Sequence, residues 1–355
     1  MAAKLKVGAI GIGGIFNAVH SEALLEHPDV EVVAACDIVR KKARKFAKSA
    51  GVKHVFKDYR ELLALDEIDA VDICTPNVLH SEMSVAALEA GKHVLCEKPD
   101  AISLAEARKM ARAAERSGKV LMVVRNNRFR PDAAFLKRYI EAGHMGEVYT
   151  GRCGWIRRRG IPGKGSWFTT KADSGGGPLI DLGVHIIDLA VWLMGHPRPV
   201  SVVGATYRGL ADSETSDSVV SEFGEAVEDG VFDVEDLATG FLRFDNGATL
   251  QIEFSWGSNV EGERNFVELR GTRAGCCLPS DGEVKIFTEI AGTLCDILPR
   301  PARPALGQHA MNVHHFVDCA LGRAEPIFTP QQGVDMIGIL SAIYESAETG
   351  NEVKL

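Results

Sequence analysis

The sequence predicts a two-domain protein in which an α/β domain, a doubly wound parallel sheet over residues 1–128, precedes an α+β domain over residues 129–355. Three observations predict this division. The first third alternates apolar strand-like runs with helical runs. A glycine-rich turn follows the first of these strands. From about residue 130 the apolar residues recur with period two, with a strong hairpin signal at Asp245-Asn246-Gly247. The second domain is therefore expected to hold a large, mostly antiparallel, open-faced sheet with helices on one face.

The composition is that of a globular protein, with 355 residues, 46% hydrophobic and 25% charged residues, and a net charge of -8. This acidic balance argues against nucleic acid or an anionic membrane as the main partner. The apolar run 179–194 is interrupted by acids and a histidine, so no membrane span is expected. The first residues lead straight into a strand, without the features of a signal peptide. Eight cysteines without a C-x-x-C pair indicate reduced thiols and a cytoplasmic protein.

In the first domain each apolar strand is followed by a helical run. Ser103 with Glu106 three residues later predicts a capping box at one helix start. Gly51, Gly91 and Gly118 follow the ends of helical runs, where glycine commonly terminates a helix. The predicted strands are Leu5–Ile10, Val30–Cys36, Asp69–Cys74, His93–Cys96 and Val120–Val124, and the predicted helices are Ile15–Glu26, Arg40–Ala50, Val78–Ala90 and Ser103–Ser117.

The glycine-rich turn lies where a dinucleotide-binding Rossmann fold needs it. Gly11 permits the tight turn, Gly13 lets the backbone approach a diphosphate, and the following helix start at Gly14, Ile15 and Phe16 offers N–H groups. The third glycine of the usual pattern is Phe16 here, which predicts a displaced helix or an aromatic wall beside the cofactor.

An acid follows the second strand at Asp37. Its carboxylate can accept hydrogen bonds from an adenosine ribose and would repel a 2′-phosphate, so NAD is favoured over NADP. Arg40 lies three residues further on and keeps NADP open. The alternative for Asp37 is a helix cap.

A glycine-led apolar stretch over residues 175–195 carries three polar residues, Asp181, His185 and Asp188. On a helix of about 3.6 residues per turn they share one stripe. Buried acids and imidazoles are costly unless paired or facing a cleft, so this helix is expected to line a site of proton chemistry. A core helix with one satisfied polar seam is the alternative reading, and for Asp188 a pairing with arginine stays open.

Three sequence blocks together resemble the glucose–fructose oxidoreductase and inositol dehydrogenase family, known as Gfo/Idh/MocA. They are VGAIGIGGIFNAVH over residues 7–20, VLCEKPDAISLAEA over 94–107, and SGGGPLIDLGVHIIDLAVWLMG over 174–195. The resemblance implies that Lys98, Asp181 and His185 are catalytic and act on one substrate hydroxyl. General chemistry agrees, since His185 suits a general base, Asp181 can orient it, and a lysine cation can polarise the reacting oxygen. Pro99 is a candidate for a cis bond.

The resemblance also implies further cofactor contacts. The residues Thr75, Pro76, Asn77 and His80 would line the nicotinamide and diphosphate. Glu97 would touch the ribose, the Lys98 ammonium would also bond the nicotinamide ribose, and Asn126 matches a family asparagine. Trp167 would cover the nicotinamide edge, unless it is ordinary packing.

The second domain supplies the candidate substrate contacts. Arg157, Arg159, Asp188 and His314 are polar candidates for a hydroxyl-rich substrate, with a solvated loop as the alternative for the arginines. By resemblance the open sheet face forms homodimers or homotetramers. The last helix, 331–349, is expected to pack back on the first domain.

The expected function is an NAD-dependent oxidoreductase that interconverts a secondary alcohol and a ketone on a sugar, sugar derivative or inositol. Three alternatives stay open: a non-catalytic NAD- or sugar-sensing regulator, an NAD-retaining glycosidase, and an NADPH-dependent reductase of a double bond or diketone. No metal is expected, although Asp181, His185 and Asp188 with His314 or His315 would be a ligand set.

Overall fold

The computed structural model describes residues 4–211, 224–280, 283–302 and 304–355. The chain forms two compact units, one of residues 1–126 with 306–337 and one of residues 127–305 with 338–355. The sequence analysis assigned residues 306–337 to the second domain. In the structure Val313 and Phe316 are buried in the core of the first unit, together with Ala23 and Leu24. Their hydrophobic burial is the physical reason for the difference.

The first unit is built on a six-stranded parallel sheet, which confirms the predicted doubly wound fold. Its strand order is β3-β2-β1-β4-β5-β6. The strands are β1 Leu5–Ile10, β2 Val30–Cys36, β3 His54–Phe56, β4 Ala70–Ile73, β5 His93–Cys96 and β6 Leu121–Val123. The sequence analysis missed β3, because its three residues are too short to show a pattern.

The helices of this unit begin and end largely where the local signals place them. The Ser103 hydroxyl accepts a hydrogen bond from the Glu106 N–H at 3.3 Å, as the capping pattern predicts. Gly51 and Gly118 end their helices with φ of 69° and 63°, which glycine adopts without strain. The helices are α1 Ser21–Glu26, α2 Arg40–Ala50, α3 Tyr59–Leu63, α4 His80–Glu89, α5 Leu104–Ser117 and α9 Gln308–Ala320, with a π-helical turn at Phe16–His20.

The second unit is built on a nine-stranded sheet of order β14-β13-β12-β11-β7-β10-β9-β8-β15. Every neighbouring pair is antiparallel except β10 with β7. The Asp245-Asn246-Gly247 hairpin joins β9 to β10, and Gly247 has φ of 83°. The strands are β7 Val148–Ile156, β8 Pro199–Tyr207, β9 Leu237–Phe244, β10 Thr249–Ser255, β11 Arg264–Gly271, β12 Ala274–Pro279, β13 Lys285–Ile290, β14 Thr293–Ile297 and β15 Val353–Lys354.

One face of this sheet is covered by helices. The glycine-led stretch forms a π-helical turn at Leu179–Gly183 that continues into α8, Val184–Leu193, and α8 packs against β7 and β11. The remaining helices are α6 Pro131–Glu141, α7 Lys171–Ser174 and α10 Pro330–Thr349, the last divided between the two units.

The helical stretch Lys171–Leu193 is the one stretch of the described residues that is long and apolar enough to cross a membrane. That contrasts with the expectation that its polar residues would disqualify it. However, 89% of its most apolar window is buried inside the protein, as is typical of a core helix.

Candidate active site

The glycine-rich turn between β1 and the first helix has room on its outer side. Gly11 has φ of 87°, and a Cβ there would lie 2.5 Å from the Cys74 carbonyl oxygen, so only glycine fits. A Cβ on Gly13 or Gly14 would meet nothing within 4 Å. Neither the fold nor the backbone conformation requires glycine at these two positions. Backbone exposed in this way at a strand-to-helix turn suits close approach by a diphosphate.

Phe16 does not form the expected aromatic wall. Its side chain is fully buried and packs edge-on against Phe46 with the ring centroids 4.9 Å apart. The ring fills core space that a smaller side chain would leave empty. Phe16 is also the first residue of the π-helical turn that ends at His20.

Asp37 links the end of β2 to the glycine-rich turn. Its carboxylate accepts hydrogen bonds from the N–H of Ile12 at 2.9 Å and of Val39 at 2.7 Å. The carboxylate is half-buried, whereas Arg40 is exposed. Asp37 is therefore held in place by backbone groups, and a carboxylate oxygen has a second lone pair left for a ribose hydroxyl.

Four side-chain polar atoms in this unit are buried without a hydrogen-bond partner among the described residues: Thr75 Oγ1, Ser84 Oγ, Asn126 Oδ1 and Asn312 Nδ2. Such atoms cost free energy unless something else satisfies them. Thr75 and Asn126 are two of the positions expected to contact the cofactor, and Pro76 and Asn77 adjoin Thr75 at the end of β4. A donor- and acceptor-rich ligand such as NAD fits these atoms and the open glycine turn. Asn312 escaped sequence reasoning, since a lone asparagine within a helix carries no motif.

His80 is not a wall of the cofactor site. It is fully buried, with Nδ1 2.7 Å from the Pro99 carbonyl oxygen and Nε2 2.9 Å from the Thr75 carbonyl oxygen. Its ring therefore ties the loop after β4 to the turn after β5.

Both carboxylate oxygens of Glu97 form hydrogen bonds within the protein. One carboxylate oxygen lies 2.9 Å from His20 Nε2 and the other accepts from the Lys98 N–H at 3.0 Å. The residue as a whole is 6% exposed. Sequence reasoning did not find this pairing, because the partner, His20, lies 77 residues away in the chain.

Lys98 follows β5 at the carboxyl edge of the parallel sheet, where ligands bind in folds of this type. Its side chain is half-buried and its bond to Pro99 is cis. Next along the turn, Asp100 forms a buried ion pair with Arg125. His309 on α9 faces the same end of the sheet, where burial lowers its pKa while the charges of Glu97 and Lys98 act on it in opposite directions.

In the second unit the π-helical turn and α8 carry Asp181 and His185. Both are half-buried, although nearly every neighbour in this stretch is buried. The indole Nε1 of Trp256, a fully buried side chain, donates to Asp181 Oδ2 at 2.9 Å. Sequence reasoning missed Trp256, because in the sequence it looks like one more apolar residue at the end of strand β10.

An aromatic ring, Trp155, lies near His185 and is itself in contact with two charged side chains. The Trp155 ring centroid is 6.3 Å from that of His185, and Trp155 Nε1 donates to the Glu263 carboxylate at 2.8 Å. The Arg157 guanidinium stacks over Trp155 at 4.8 Å and lies 3.8 Å from Glu263. This group offers a flat apolar face together with hydrogen-bonding groups, which suits a hydroxylated ring.

The start of the same helical stretch is fixed by Glu235. Its buried carboxylate accepts from the N–H groups of Gly177 and Leu179 at 2.9 and 3.1 Å and from the Tyr344 hydroxyl at 2.9 Å. Burial raises the pKa of Glu235, while these donors oppose the rise. A Cβ on Gly176 would lie 2.0 Å from the Tyr344 hydroxyl, which explains the glycine there.

Asp188 pairs with an arginine, which was one of the two roles left open for it, and does not serve as a substrate contact. Its two carboxylate oxygens accept from Arg128 Nε at 2.9 Å and Nη2 at 2.7 Å, and both side chains are buried. Their charges are used within the fold. Nearby, burial lowers the pKa of His196 to about 4, with the Arg128 charge adding to the effect.

The other substrate candidates separate in the structure. Arg159 donates to the carbonyl oxygens of Arg158 and Ser258 and to the Asn259 side chain, which fastens its loop. His314 is not a substrate residue here, because its Nε2 lies 3.0 Å from the Ala23 carbonyl oxygen and its ring packs edge-on against His27. Trp167 is half-buried and stacks on Phe168 at 3.9 Å.

Comparison with known proteins agrees with this geometry. The model of an oxidoreductase family with an NAD-binding Rossmann fold matches residues 5–125, and that of the GFO/IDH/MocA C-terminal domain matches residues 134–276. The D-glucoside 3-dehydrogenase of Escherichia coli is 33% identical over 99% of this chain and 97% of its own. The levoglucosan dehydrogenase of Pseudarthrobacter phenanthrenivorans is 34% identical over 76% of this chain and 72% of its own. A solved levoglucosan dehydrogenase in complex with NADH and levoglucosan superposes with a TM-score of 0.85 at 25% identity, over 99% of both chains.

Proposed function

The chain belongs to the Gfo/Idh/MocA family of NAD-binding oxidoreductases, and we propose that it interconverts a secondary alcohol and a ketone on a sugar, sugar derivative or inositol with NAD. The observation that carries the proposal is the half-buried Asp181–His185 pair, with Asp181 fixed by the Trp256 indole. Removal of a hydroxyl proton requires a positioned base, and here a carboxylate one helical turn away can orient it. The relatives named as D-glucoside, levoglucosan and inositol dehydrogenases support this substrate class.

NAD supplies the hydride acceptor when it is bound. The residues proposed to hold it are Gly11, Gly13, Gly14 and Ile15 at the diphosphate, Asp37 at the adenosine ribose, and Thr75, Pro76, Asn77 and Asn126 towards the nicotinamide. The unsatisfied Thr75 and Asn126 atoms support this assignment. Asp37 favours NAD, since its carboxylate would repel the 2′-phosphate of NADP; Arg40 and Trp167 stay as proposed additional contacts.

His185 is the proposed general base, because its ordinary pKa lies near neutrality and its ring has an acid one turn away. As His185 takes the hydroxyl proton, the Asp181 carboxylate stabilises the resulting imidazolium. Lys98 is the proposed cation that stabilises the developing negative charge on the substrate oxygen.

The substrate ring is proposed to lie against Trp155, with Arg157 and Glu263 bonding its hydroxyl groups. An aromatic face suits the apolar C–H face of a sugar, and a charged pair at its rim discriminates between hydroxyl positions. Arg159 is proposed to shape this loop rather than to bind the ring. Of this group, sequence reasoning selected Arg157 but neither Trp155 nor Glu263.

A second copy of the chain is the proposed partner, through the sheet face that no helix of the described residues covers. Cross-strand neighbours form a row over this face that mixes charged, polar and apolar residues. Its members are Val203, Phe241, Gln251, Arg152, Glu268, Cys277 and Lys285. Val203 is 48% exposed, as is typical of a surface that a partner covers. Light scattering after size exclusion, on the wild type and on Val203→Lys, tests this; an unchanged dimer or tetramer mass in the variant would place the interface elsewhere.

A cytoplasmic location is proposed from the cysteines, which are all free thiols. Cell fractionation tests this, with recovery from an oxidising compartment as the contrary result.

The function is tested by screening D-glucosides, levoglucosan and inositols with added NAD and then NADP, following the absorbance of the reduced cofactor. Lys98→Ala and His185→Ala are each expected to lower turnover at least about a thousandfold while NAD still binds, because removal of a catalytic group costs several kcal/mol of transition-state stabilisation. Arg158→Ala, an exposed neighbour in the Arg157–Arg159 loop, is the matched control. Wild-type turnover in both catalytic variants would refute the assignment.

A further inference from the structure

A charge cluster is buried beneath the Lys98 turn. It consists of His20 on the π-helical turn, Asp72 on β4 and Glu97 after β5, which are 1%, 0% and 6% exposed. His20 Nδ1 lies 3.0 Å from Asp72 Oδ2, and Nε2 lies 2.9 Å from Glu97 Oε1. The imidazole is therefore placed between two carboxylates contributed by different elements.

This arrangement favours a protonated imidazole between two ionised carboxylates. A neutral imidazole donates from one nitrogen only, whereas both nitrogens of His20 face a carboxylate oxygen. Burial is the largest single influence and lowers the pKa of His20, but the charges and hydrogen bonds of Asp72 and Cys74 together outweigh it, and the pKa lies well above its usual value. The cluster then holds two negative charges and one positive charge.

The neighbouring Cys74 thiol does not alter this assignment. Its sulfur lies 3.8 Å from Asp72 Oδ1, and burial raises its pKa. His20, Asp72 and Cys74 have ligand atoms within 4.8 Å of one another, which raises the question of a metal ion. A metal needs a thiolate and a neutral imidazole, and the environment favours the opposite protonation state of both groups.

The cluster reaches Lys98 through Glu97. The carboxylate oxygen that does not face His20 accepts from the Lys98 backbone N–H at 3.0 Å. Among the described residues, the other titratable groups at this end of the sheet include Cys96 and Asp100 on either side of Glu97, His80 on α4 and His309 on α9. Glu97 thus joins the buried imidazolium to the backbone of the residue proposed to be catalytic.

We propose that His20 is a positioning residue of this enzyme, whose buried positive charge keeps Glu97 ionised and in place so that Glu97 fixes the backbone at Lys98. This role rests on the proposed function of Lys98. Charge-assisted hydrogen bonds are roughly twice as strong as neutral ones, so a protonated or displaced Glu97 holds the turn less firmly.

The first test is His20→Gln, which keeps a hydrogen-bond donor but removes the charge. Two buried carboxylates without a cation between them repel, and one takes up a proton. We expect kcat to fall about tenfold to a hundredfold, the range of a lost charge-assisted hydrogen bond of about 1.5–3 kcal/mol. We also expect the pH profile of kcat/KM to gain an ionisation that the wild type lacks. An unchanged pH profile would overturn the proposal.

The second test is the double variant His20→Gln with Asp72→Asn, which removes one charge of each sign. Glu97 again becomes the single net negative charge of the cluster, so the added ionisation should disappear and kcat should rise above that of His20→Gln. If the cluster served only packing, the second substitution would leave kcat the same or lower it further. That result would overturn the proposal.

A readout that needs no turnover separates this inference from the proposed reaction. In His20→Gln the folded chain binds an extra proton, so its melting temperature should fall as pH rises from 5 to 6, by linkage. In this window wild-type His20 is protonated in both the folded and the unfolded chain and adds no slope. Its own stabilisation declines only as pH rises above about 6.5, where the unfolded histidine loses its proton. Loss of turnover in Lys98→Ala concerns the reaction, whereas this pH slope concerns the cluster alone.

The matched control is His27→Gln, a buried histidine of the same unit whose Nδ1 accepts from the Asp29 N–H. It should leave the pH profile of kcat/KM as in the wild type. If His20→Gln does not fold, Asp72→Asn alone decides the question. Without Asp72 the imidazolium loses its main support, so kcat/KM should decline towards high pH, and a wild-type profile would contradict the proposal.

Discussion

Trp256→Phe removes one hydrogen bond from the proposed catalytic pair and keeps an aromatic ring in the core. The Trp256 indole is fully buried, and its Nε1 donates to Asp181 Oδ2 at 2.9 Å. Hydrogen bonds to charged groups contribute about 1.5–3 kcal/mol. If the carboxylate needs this bond to face His185 in the transition state, that range corresponds to a loss in kcat of about tenfold to a hundredfold.

The assay is steady-state kinetics on the best substrate of the polyol screen, with NAD affinity and thermal unfolding measured in parallel. Because Trp256 bonds Asp181 and not a proposed cofactor residue, NAD affinity should stay within about twofold of the wild type. The matched control is Trp192→Phe, which alters another buried tryptophan of the same unit whose ring lies 5.9 Å from the Arg128 guanidinium. It should lower stability more than kcat. A Trp256→Phe enzyme that folds normally and keeps wild-type kcat would refute the reasoning.

Three further predictions follow from single contacts. Asp188→Asn breaks the buried pair with Arg128, so the free energy of unfolding should drop by about 3–5 kcal/mol in denaturant titration; a drop below about 1 kcal/mol would mean that the pair is already solvated. Gly13→Ala adds a methyl group that meets nothing within 4 Å, so stability should hold or rise slightly while the KM for NAD increases, and an unchanged KM would move the diphosphate elsewhere. The pKa of His196 is lowered to about 4 in the folded chain. As pH falls below about 6.5, this histidine takes up a proton in the unfolded chain first, so the free energy of unfolding declines between pH 6.5 and 4 by on the order of 3 kcal/mol. His196→Asn should flatten that decline when melting is measured as a function of pH.

Local patterns predicted the parallel sheet and most second-unit strands, because β-alternation, glycine caps and the Asp245-Asn246-Gly247 turn act over a few residues. Period two predicted strands at 148–156, 200–207, 237–244, 248–256, 265–270 and 284–288. Strands β12, β14 and β15 were missed, since pairing with neighbours decides them rather than their own short sequences. The prediction that Asp181, His185 and Asp188 share one polar stripe of the glycine-led helix was only partly right. A π-helical turn at Leu179–Gly183 carries more residues per turn than an α-helix, so Asp188 turns away from Asp181 and meets Arg128.

Burial separates the charged residues that the fold uses from those that the proposed reaction uses. Asp188, Glu97 and His80 are nearly or fully buried, and each has protein partners for both of its polar atoms. Motifs alone do not distinguish such residues from catalytic ones, because the partners come from distant parts of the chain. Lys98 and His185, in contrast, stay half-buried amid buried neighbours, which leaves part of each side chain open to a ligand. The buried acids then act indirectly, by fixing the turn or helix that carries a half-buried group, so their substitution should change stability or pH dependence before it abolishes chemistry.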